Sequence, residues 1–277
     1  MENRKQINKV TVLGAQGMLG YAAVKYYRSK GYNVEGIDRK KFDVLRDNIT
    51  VLKKHLVGSS FVLNCIGIIK PRIAAMSVED VLSINGIFPK NLAKLCKTLD
   101  IPCFHITTDC VYSGSKGNYS ETDLFDINDL YGLSKNAGEN TECMTIRTSI
   151  IGEEIKNKYS LIEWARSQKG KTVSGFTNHK WNGITTLYMA QIIEEIYQLG
   201  EYKEGIYHLH SPNIVTKAEL LKILNSVYKL DLTINNTVAP QKVDRSLKTI
   251  NPLSKKIVSM SIQNQIKQMK NFFHNQS

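Results

Sequence analysis

Tyr131 and Lys135 are four residues apart in the segment DLYGLSK, and this spacing places both side chains on one face of a helix. An ammonium group beside a phenol stabilises the phenolate and lowers the pKa of the phenol from about 10 towards neutral pH. A tyrosine tuned in this way can pass a proton to or from a sugar or alcohol oxygen. Most tyrosine–lysine pairs at this spacing are exposed surface pairs, so the interpretation depends on the surrounding elements.

Thr108 ends an apolar segment, IPCFHITT, that predicts a buried strand. The carboxyl ends of parallel strands line the ligand crevice of an open α/β sheet. We therefore expect the Thr108 hydroxyl to lie beside a bound ligand, where it can orient a substrate oxygen for Tyr131. Thr108, Tyr131 and Lys135 are the candidate catalytic residues.

A glycine-rich loop, LGAQGMLG, contributes Gly14, Gly17 and Gly20 between a predicted strand and a predicted helix. Glycines in this setting permit a tight turn and let the backbone approach a pyrophosphate, whose charge then lies at the helix N-terminus. The loop therefore predicts a dinucleotide site, to which the first helical residues Met18 and Leu19 also belong.

The second predicted strand, YNVEGID, ends at Asp38, where an acidic residue would bind the adenosine ribose of NAD. Arg39 and Lys40 follow directly and could hold the 2′-phosphate of NADP. The sequence leaves NAD and NADP open and slightly favours NADPH. Asp43 and Val44 are expected to flank the adenine.

Predicted strands and helices alternate in the first half of the chain and position these residues. The first predicted helix ends at Gly31. The strand–helix–strand alternation predicts a Rossmann-type, doubly wound parallel α/β sheet. The predicted strands are 10–14, 32–38, 61–67, 101–108 and 144–151, and the predicted helices between them include 18–30 and 78–99.

The regular alternation of predicted strands and helices ends beyond the fifth predicted strand. Ser160 with Glu163 and Thr216 with Glu219 form capping-box patterns ahead of helical segments, whereas residues 171–183 are polar and predict a loop. The predicted organisation is an NAD(P)-binding Rossmann domain over 1–152, to which the chain returns near 183–209, and a smaller C-terminal substrate-binding lobe over 153–182 and 210–277.

Composition limits the class of protein. The 277 residues carry a formal charge of +12 that is scattered rather than clustered, which favours an anionic cofactor or substrate over nucleic acid. No apolar run approaches the ~18 residues of a membrane span, and the N-terminus lacks a signal-peptide pattern, so we expect a cytoplasmic protein without a membrane partner. Five cysteines without a CxxC pair predict free thiols and no metal site.

The ordered motifs resemble the extended short-chain dehydrogenase/reductases, and within them most closely the dTDP-4-dehydrorhamnose reductase type. The resemblance is strong over 1–152, partial over 178–195 and thin elsewhere. It is carried by GxxGxxG at 14–20, NCIG at 64–67, TTDCVYSG at 107–114, YGLSKNAGE at 131–139, RTSIIG at 147–152 and WNGITTLYMAQII at 181–193.

The resemblance implies an NAD(P)H-dependent reductase of a 4-keto, nucleotide-activated deoxy sugar, in the synthesis of surface polysaccharides. Tyr131 would protonate the ketone oxygen while nicotinamide delivers hydride, and Lys135 would tune Tyr131 and bind a cofactor ribose. A homodimer is expected by the same analogy, and Arg147 is expected to be a structural ion-pair residue. The further cofactor residues are Cys65, Ile66 and Gly67, and the substrate residues are Thr108, Asp109, Cys110, Asn178, His179 and Trp181.

Two other functions stay open. One is an epimerase or dehydratase that keeps its nicotinamide as an internal redox cofactor; a dehydratase would need a carboxylate pair, and Asp109 has no adjacent glutamate. Cys110 is expected to be a pocket thiol rather than an epimerisation acid, because the region after RTSIIG, EEIKNKYSLIEW, contains no histidine. The other is a non-catalytic dinucleotide-binding regulatory subunit, although Thr108, Tyr131 and Lys135 are all present.

Overall fold

The computed structural model describes residues 4–154 and 158–274; residues 155–157, inside the predicted lobe segment 153–182, lie outside the described residues. In this part of the chain the strands are β1 Lys9–Leu13, β2 Asn33–Ile37, β3 Phe61–Asn64, β4 Cys103–Thr108, β5 Met144–Thr148, β6 Ile150–Ile151, β7 Thr172–Phe176, β8 His179–Trp181, β9 Ile184–Thr185, β10 Gly205–His208, β11 Val215–Thr216, β12 Thr233–Thr237 and β13 Val243–Asp244. The α-helices are α1 Met18–Ser29, α2 Lys53–Leu56, α3 Lys70–Ile73, α4 Val78–Leu82, α5 Phe88–Thr98, α6 Leu130–Gly138, α7 Leu161–Ser167, α8 Thr186–Gln198, α9 Lys217–Tyr228, α10 Pro252–Ile257 and α11 Ile262–His274.

The main sheet has six parallel strands in the order β10-β5-β4-β3-β1-β2. Strands β3 and β4 are buried along their whole length, as expected for apolar runs covered on both faces. The chain leaves β1 for β2 on one side and then returns to β3 on the other side. This reversal creates a crevice at the carboxyl ends of β1 and β3, and it confirms the predicted doubly wound parallel fold.

Helices cover both faces of this sheet because successive strand residues point to opposite sides. Val10 and Val12 of β1 pack in one apolar cluster with residues of α1, α8 and α11. Leu13 and Val62 belong to a second cluster with residues of α2 and α5. Both faces of the sheet are therefore closely packed, and this packing fixes the positions of the strand ends, where a site can form.

Two predicted elements of the first half differ in detail. The predicted helix 78–99 forms as α4 and α5 joined by a π-helical turn at Ser83–Ile87; Gly86 lies in this turn and Pro89 in the first turn of α5, and neither ends the helical run. The predicted strand 144–151 is divided at Ser149 into β5 and β6. The predicted end of α1 is confirmed, because Gly31 has φ +81° just after the helix.

The predicted loop at 171–183 is wrong, because β7 and β8 form there. Val173 and Gly175 of β7 are buried between exposed neighbours, but a glycine on the inner face concealed this alternation in the sequence. Strand β7 pairs with β12, and β8 lies between β11 and β13. The capping box of Thr216 and Glu219 forms completely at the start of α9.

The chain returns to the main sheet at β10, which pairs with β5 inside the predicted return segment 183–209. Over the described residues, no helix has the length and apolarity needed to cross a membrane. The five cysteines are free.

Candidate active site

A cavity of about 690 Å³ opens at the carboxyl ends of β1, β3 and β4. It runs from the glycine loop to the first turns of α6. Sixteen of the residues predicted for the site line it: Gly14, Gly17, Met18, Leu19, Asp38, Arg39, Asp43, Val44, Cys65, Ile66, Gly67, Thr108, Asp109, Cys110, Tyr131 and Lys135.

The glycine loop fits close to the next strand and to its own helix. Gly14 has φ +74°, and a Cβ there would lie 2.9 Å from the carbonyl carbon of Cys65. Gly17 is the N-cap of α1 and has no side chain that could cap the first turn, whose N–H groups are therefore available to an anion. This cradle fits a pyrophosphate.

Gly20, predicted as a cofactor residue of the glycine loop, does not itself line the cavity. A Cβ at Gly20 would lie 2.2 Å from the carbonyl oxygen of Gly14. Its lack of a side chain lets the helix approach the loop, so Gly20 shapes the cradle from behind.

Asp38 closes the end of β2 and is already hydrogen-bonded within the chain. Its Oδ1 accepts from the backbone N–H groups of Lys40 and Lys41 at 3.0 and 3.2 Å, and its Oδ2 accepts from Gln16 Nε2. Arg39 lines the cavity beside it and forms no ion pair within 4 Å in the described chain. Arg72 of α3 also lines the cavity, and the sequence patterns did not single it out.

Thr108 and Tyr131 meet at the other end of the cavity. Thr108 is the last residue of β4; its Oγ1 accepts from Cys110 N at 3.1 Å and donates to Asp109 Oδ1 at 3.3 Å. Asp129 caps α6 by accepting from Gly132 N at 2.8 Å, which fixes the helix turn that carries Tyr131. Thr108 and Tyr131 line the same part of the cavity, and the Thr108 hydroxyl is close enough to affect the pKa of the Tyr131 phenol.

The pKa of Tyr131 is raised, not lowered as the sequence predicted. Loss of hydration inside the cavity is the main cause, and the nearby Cys110 thiol adds to it, while the Thr108 hydroxyl acts in the opposite direction. The Lys135 ammonium is directed elsewhere, because its Nζ donates to the Ile106 carbonyl at 3.0 Å. Tyr131 is therefore a protonated phenol at neutral pH, which is the form that can donate a proton.

Lys135 is buried, and burial lowers the pKa of its ammonium to about 8. Glu139 and Cys65 act weakly in the opposite direction. A Cβ at Gly67 would lie 3.4 Å from Lys135 Nζ, so the ammonium is next to the backbone that follows β3. Lys135 therefore lies between the glycine-loop end and the Tyr131 end of the cavity. In this position its ammonium group can hydrogen-bond a ribose hydroxyl of a bound cofactor.

Asn85 holds this arrangement together and was missed by the sequence patterns. It is fully buried in the π-helical turn; its Oδ1 accepts from Ile68 N at 2.8 Å, and its Nδ2 donates to Ile68 O and to Ser134 Oγ. Ser134 Oγ donates in turn to the Tyr131 carbonyl at 2.9 Å. Single-turn π-helical segments often occur at functional sites, and the Asn-Gly pair inside a helical pattern was the available signal.

Arg147 is structural, as predicted. Its Nε donates to both Glu139 carboxylate oxygens at 2.9 Å, and its Nη2 donates to Oε2 at 2.7 Å. Both side chains are buried, so this charge pair ties β5 to the end of α6 below the cavity.

Comparison with known proteins places this geometry in a family. The sequence profile of the RmlD substrate-binding domain matches residues 8–259. The chain belongs to the RmlD substrate-binding domain family.

Three curated relatives resemble most of the chain. A probable low-salt glycan biosynthesis reductase of Haloferax volcanii is 25% identical over 84% of this chain and 85% of the relative. The dTDP-4-dehydrorhamnose reductase of Aggregatibacter actinomycetemcomitans is 23% identical over 89% and 84%. The methionine adenosyltransferase 2 subunit beta of Xenopus tropicalis is 21% identical over 88% and 79%.

The fold has solved counterparts as well. The crystal structure of dTDP-4-dehydrorhamnose reductase from Bacillus anthracis in complex with NADP superposes with a TM-score of 0.79 at 19% identity, covering 98% of this chain and all of that one. The doubly wound architecture of this RmlD-family chain is therefore shared with known reductases.

Asn178, His179 and Trp181, predicted to contact substrate, do not line the cavity of this RmlD-family chain. Asn178 exchanges hydrogen bonds with the backbone of Ala239 at 2.8 and 2.9 Å, and His179 Nε2 contacts the Gln241 carbonyl at 3.0 Å. Trp181 is buried in the apolar core. Their polar and aromatic groups are used to hold β8 in place, so their positions give the prediction no support.

Proposed function

We propose that this protein is an NAD(P)H-dependent reductase of a 4-keto, nucleotide-activated deoxy sugar. The observation that carries the proposal is that Thr108, at the end of β4, and Tyr131 line the same cavity as the glycine cradle and Lys135. Tyr131 donates its proton to the ketone oxygen, and Thr108 orients that oxygen. A bound nicotinamide supplies the hydride. The reductase names of two curated relatives support this class of reaction.

NADPH is the proposed cofactor. The glycine cradle fits the pyrophosphate, and Asp38 already uses both carboxylate oxygens within the chain. Arg39 is without an ion-pair partner among the described residues and can therefore pair with a 2′-phosphate. Lys135 would bond a ribose hydroxyl, and Asp43 and Val44 would flank the adenine.

The Rossmann domain would be 1–152 with the return near 183–209, and the substrate lobe 153–182 with 210–277. Thr108, Asp109 and Cys110 would contact the sugar. The product would enter polysaccharide synthesis in the cytoplasm, and the protein would act as a homodimer.

The decisive experiment is an absorbance assay at 340 nm. The protein is incubated with NADPH or NADH and a panel of 4-keto-6-deoxy nucleotide sugars. We expect stoichiometric oxidation of NADPH with one of them and a loss of 10²- to 10⁴-fold in kcat for Tyr131→Phe. NADPH affinity of the variant should be unchanged, and Tyr21→Phe, at the same cavity but away from Thr108, is the matched control.

The assay also distinguishes the alternatives. Sugar turnover without net cofactor oxidation would indicate an epimerase or dehydratase. The similarity to a methionine adenosyltransferase subunit favours a regulatory protein as the second candidate. That reading predicts cofactor binding without turnover, unaffected by Tyr131→Phe.

A further inference from the structure

The C-terminal helix α11 ends beside the cavity. Its last turn contacts Tyr21 of α1 and Glu153, the second residue after β6, and both of these residues line the cavity. The contacts come from Phe273 and His274, which we call the terminal brace. Among the described residues, the two members of the brace lie outside the set that lines the cavity, so they can act on a ligand only through Tyr21 and Glu153.

Phe273 holds the ring of Tyr21. The two rings are stacked, with centroids 5.9 Å apart and planes inclined by 19°. Tyr21 lies one helical turn after Gly17, and its N–H donates to the Gly17 carbonyl at 2.8 Å. Because Gly17 is part of the glycine cradle, the stack fixes an aromatic ring of the cavity wall next to the place where a pyrophosphate would bind.

Glu153 is the meeting point of three helices of the C-terminal half. Its carboxylate accepts from the Tyr228 hydroxyl of α9 at 2.8 Å, forms an ion pair with Arg166 of α7 at 3.0 Å and contacts His274 Nε2 at 2.8 Å. The Glu153 side chain is 11% exposed, whereas that of His274 is 47% exposed. The position of this carboxylate on the cavity wall therefore depends on helices that are remote from it in the sequence.

Gly152 places Glu153 close to the same turn of α1. A Cβ at Gly152 would lie 3.0 Å from Met18 Cγ and 2.5 Å from Thr186 Oγ1, so the backbone before Glu153 is packed against the starts of α1 and α8. A carboxylate near an anion-binding helix end would repel a pyrophosphate if it were unpaired. The ion pair with Arg166 offsets this charge, and the brace helps to hold Glu153 in that pair.

The last turn of α11 is the least firmly held part of that helix. Met269 is the last fully buried residue described in it, whereas Phe272 and Phe273 are half-buried and His274 is exposed. Helix ends open locally at a small cost in free energy. The brace can therefore dock and open without unfolding of the core, and a ligand that favours the docked form will shift this equilibrium.

We propose that the terminal brace positions Tyr21 and Glu153 for a bound dinucleotide, so that docking of the last turn of α11 and cofactor binding favour each other. The inference rests on the proposed function only in taking a dinucleotide as the ligand of the cavity. Coupling between two equilibria is reciprocal, so a brace that strengthens cofactor binding is itself stabilised by the cofactor to the same extent. Phe273 and His274 are positioning residues, since they reach the cofactor only through other side chains.

Isothermal titration calorimetry with NADP⁺ and NAD⁺ measures one side of this coupling. Phe273→Ala removes the stack on Tyr21 and should weaken the better-bound dinucleotide at least about threefold. The double variant Phe273→Ala/His274→Ala also removes the contact with Glu153, and it should lose more affinity than Phe273→Ala alone. Tyr21→Phe keeps the ring and its stack, so it should bind like wild type.

Phe272→Ala is the matched control. Phe272 is a half-buried ring in the same turn, and Lys25 lies over both rings, with Nζ 5.5 Å from the Phe272 centroid and 4.9 Å from the Phe273 centroid. Phe272 packs edge-on against Tyr26 at 6.2 Å, and Tyr26 is outside the set of described residues that line the cavity. The control should lower the melting temperature about as much as Phe273→Ala and keep wild-type affinity for the dinucleotide.

Hydrogen exchange followed by mass spectrometry measures the other side of the coupling. In the wild-type protein, saturating NADP⁺ should slow the exchange of the amides at 270–274. In the double variant this protection should disappear, while protection of the amides of α1 by NADP⁺ remains. Loss of structure alone would not produce this difference, because it would raise exchange with and without cofactor alike.

Unchanged dinucleotide affinity in the double variant would overturn the proposal. An equal loss of affinity in Phe272→Ala would overturn it as well, and so would exchange at the end of α11 that does not respond to the cofactor. A wild-type protein that binds neither dinucleotide would overturn both this proposal and the proposed function. Binding that depends on the brace, together with a negative reductase assay, would leave this proposal standing and remove the proposed reaction alone.

Discussion

Lys135 shows how a single residue can lower stability for the sake of the site. Its ammonium group is buried and bonded to one carbonyl, and its pKa is about 8 against 10.5 in an unfolded chain. That difference corresponds to roughly 3 kcal/mol against folding at neutral pH. Loss of the bond to the Ile106 carbonyl would cost about 1 kcal/mol. Lys135→Met should therefore raise the free energy of unfolding by about 2 kcal/mol at pH 7 while activity is lost.

The pH dependence of this gain tests its cause. Between pH 8 and 10.5 the unfolded wild-type chain binds more protons at Lys135 than the folded chain, so wild-type stability rises across this window. The advantage of Lys135→Met should be about 2 kcal/mol at pH 7 and should turn into a deficit of about 1 kcal/mol above pH 10.5, where only the lost hydrogen bond counts. Urea unfolding of both proteins at several pH values measures it. A variant that is less stable than wild type at pH 7 would contradict the argument.

Residue types alone located the catalytic candidates because each stands where an element ends. Thr108 ends β4, Tyr131 is in the first turn of α6 and Lys135 follows one turn later, so knowledge of the elements was sufficient to bring them together. The direction of the Tyr131 pKa shift was not predictable, because it depends on burial and on where the Lys135 ammonium points. Asn85 was missed because its partner Ser134 is 49 positions away in the sequence.

At the scale of elements, the approach of α1 to the glycine loop depends on Gly20. A Cβ there would lie 2.2 Å from a backbone oxygen of the loop, which cannot move without reshaping the cradle. Gly20→Ala should therefore weaken NADP⁺ binding at least tenfold, as measured by calorimetry, even though alanine favours helix over glycine.

Gly31→Ala is the matched control for this prediction. Gly31 has φ +81° with nothing within 4 Å of a Cβ, so alanine would add about 1–2 kcal/mol of backbone strain without touching the cradle. The melting temperature should fall while NADP⁺ affinity stays at the wild-type value. If both variants lost affinity equally, general destabilisation and not the fit of α1 would be the cause.

Elements whose apolar residues form continuous runs or recur at regular spacing were predictable from the sequence, and elements that combine small and polar residues were not. Strands β1 to β5 were predicted correctly because short apolar runs that alternate with helical segments are typical of strands in a parallel sheet buried on both faces. Strands β7 and β8 were mistaken for a loop because Ser174, Gly175 and Asn178 are typical turn residues. Their pairing with β12 and β13 requires segments that are some 60 positions away, and no local pattern specifies such partners.

At the scale of the whole molecule, one apolar core joins the two halves of the chain. The larger cluster of buried residues includes Val10 and Phe104 from the main sheet, Trp181 and Leu224 from the second half, and Met269 from α11. Helix α1 packs along α8, and Tyr21 stacks on Phe273 with ring centroids 5.9 Å apart. A shared core of this kind predicts a single cooperative unfolding transition, although the proposed organisation has two parts.

The two tryptophans make this prediction testable, because Trp164 and Trp181 both lie beyond residue 152, whereas the glycine cradle is in the first half. NADP⁺ binds only the folded cradle and should shift the urea midpoint upward by mass action. In a cooperative molecule, tryptophan fluorescence and far-UV circular dichroism must report the same midpoint, and NADP⁺ must move both equally. Gly20→Ala, with its weakened cradle, should show a smaller shift at the same NADP⁺ concentration. A tryptophan transition that ignores NADP⁺ would mean that the C-terminal half unfolds independently of the cofactor-binding half.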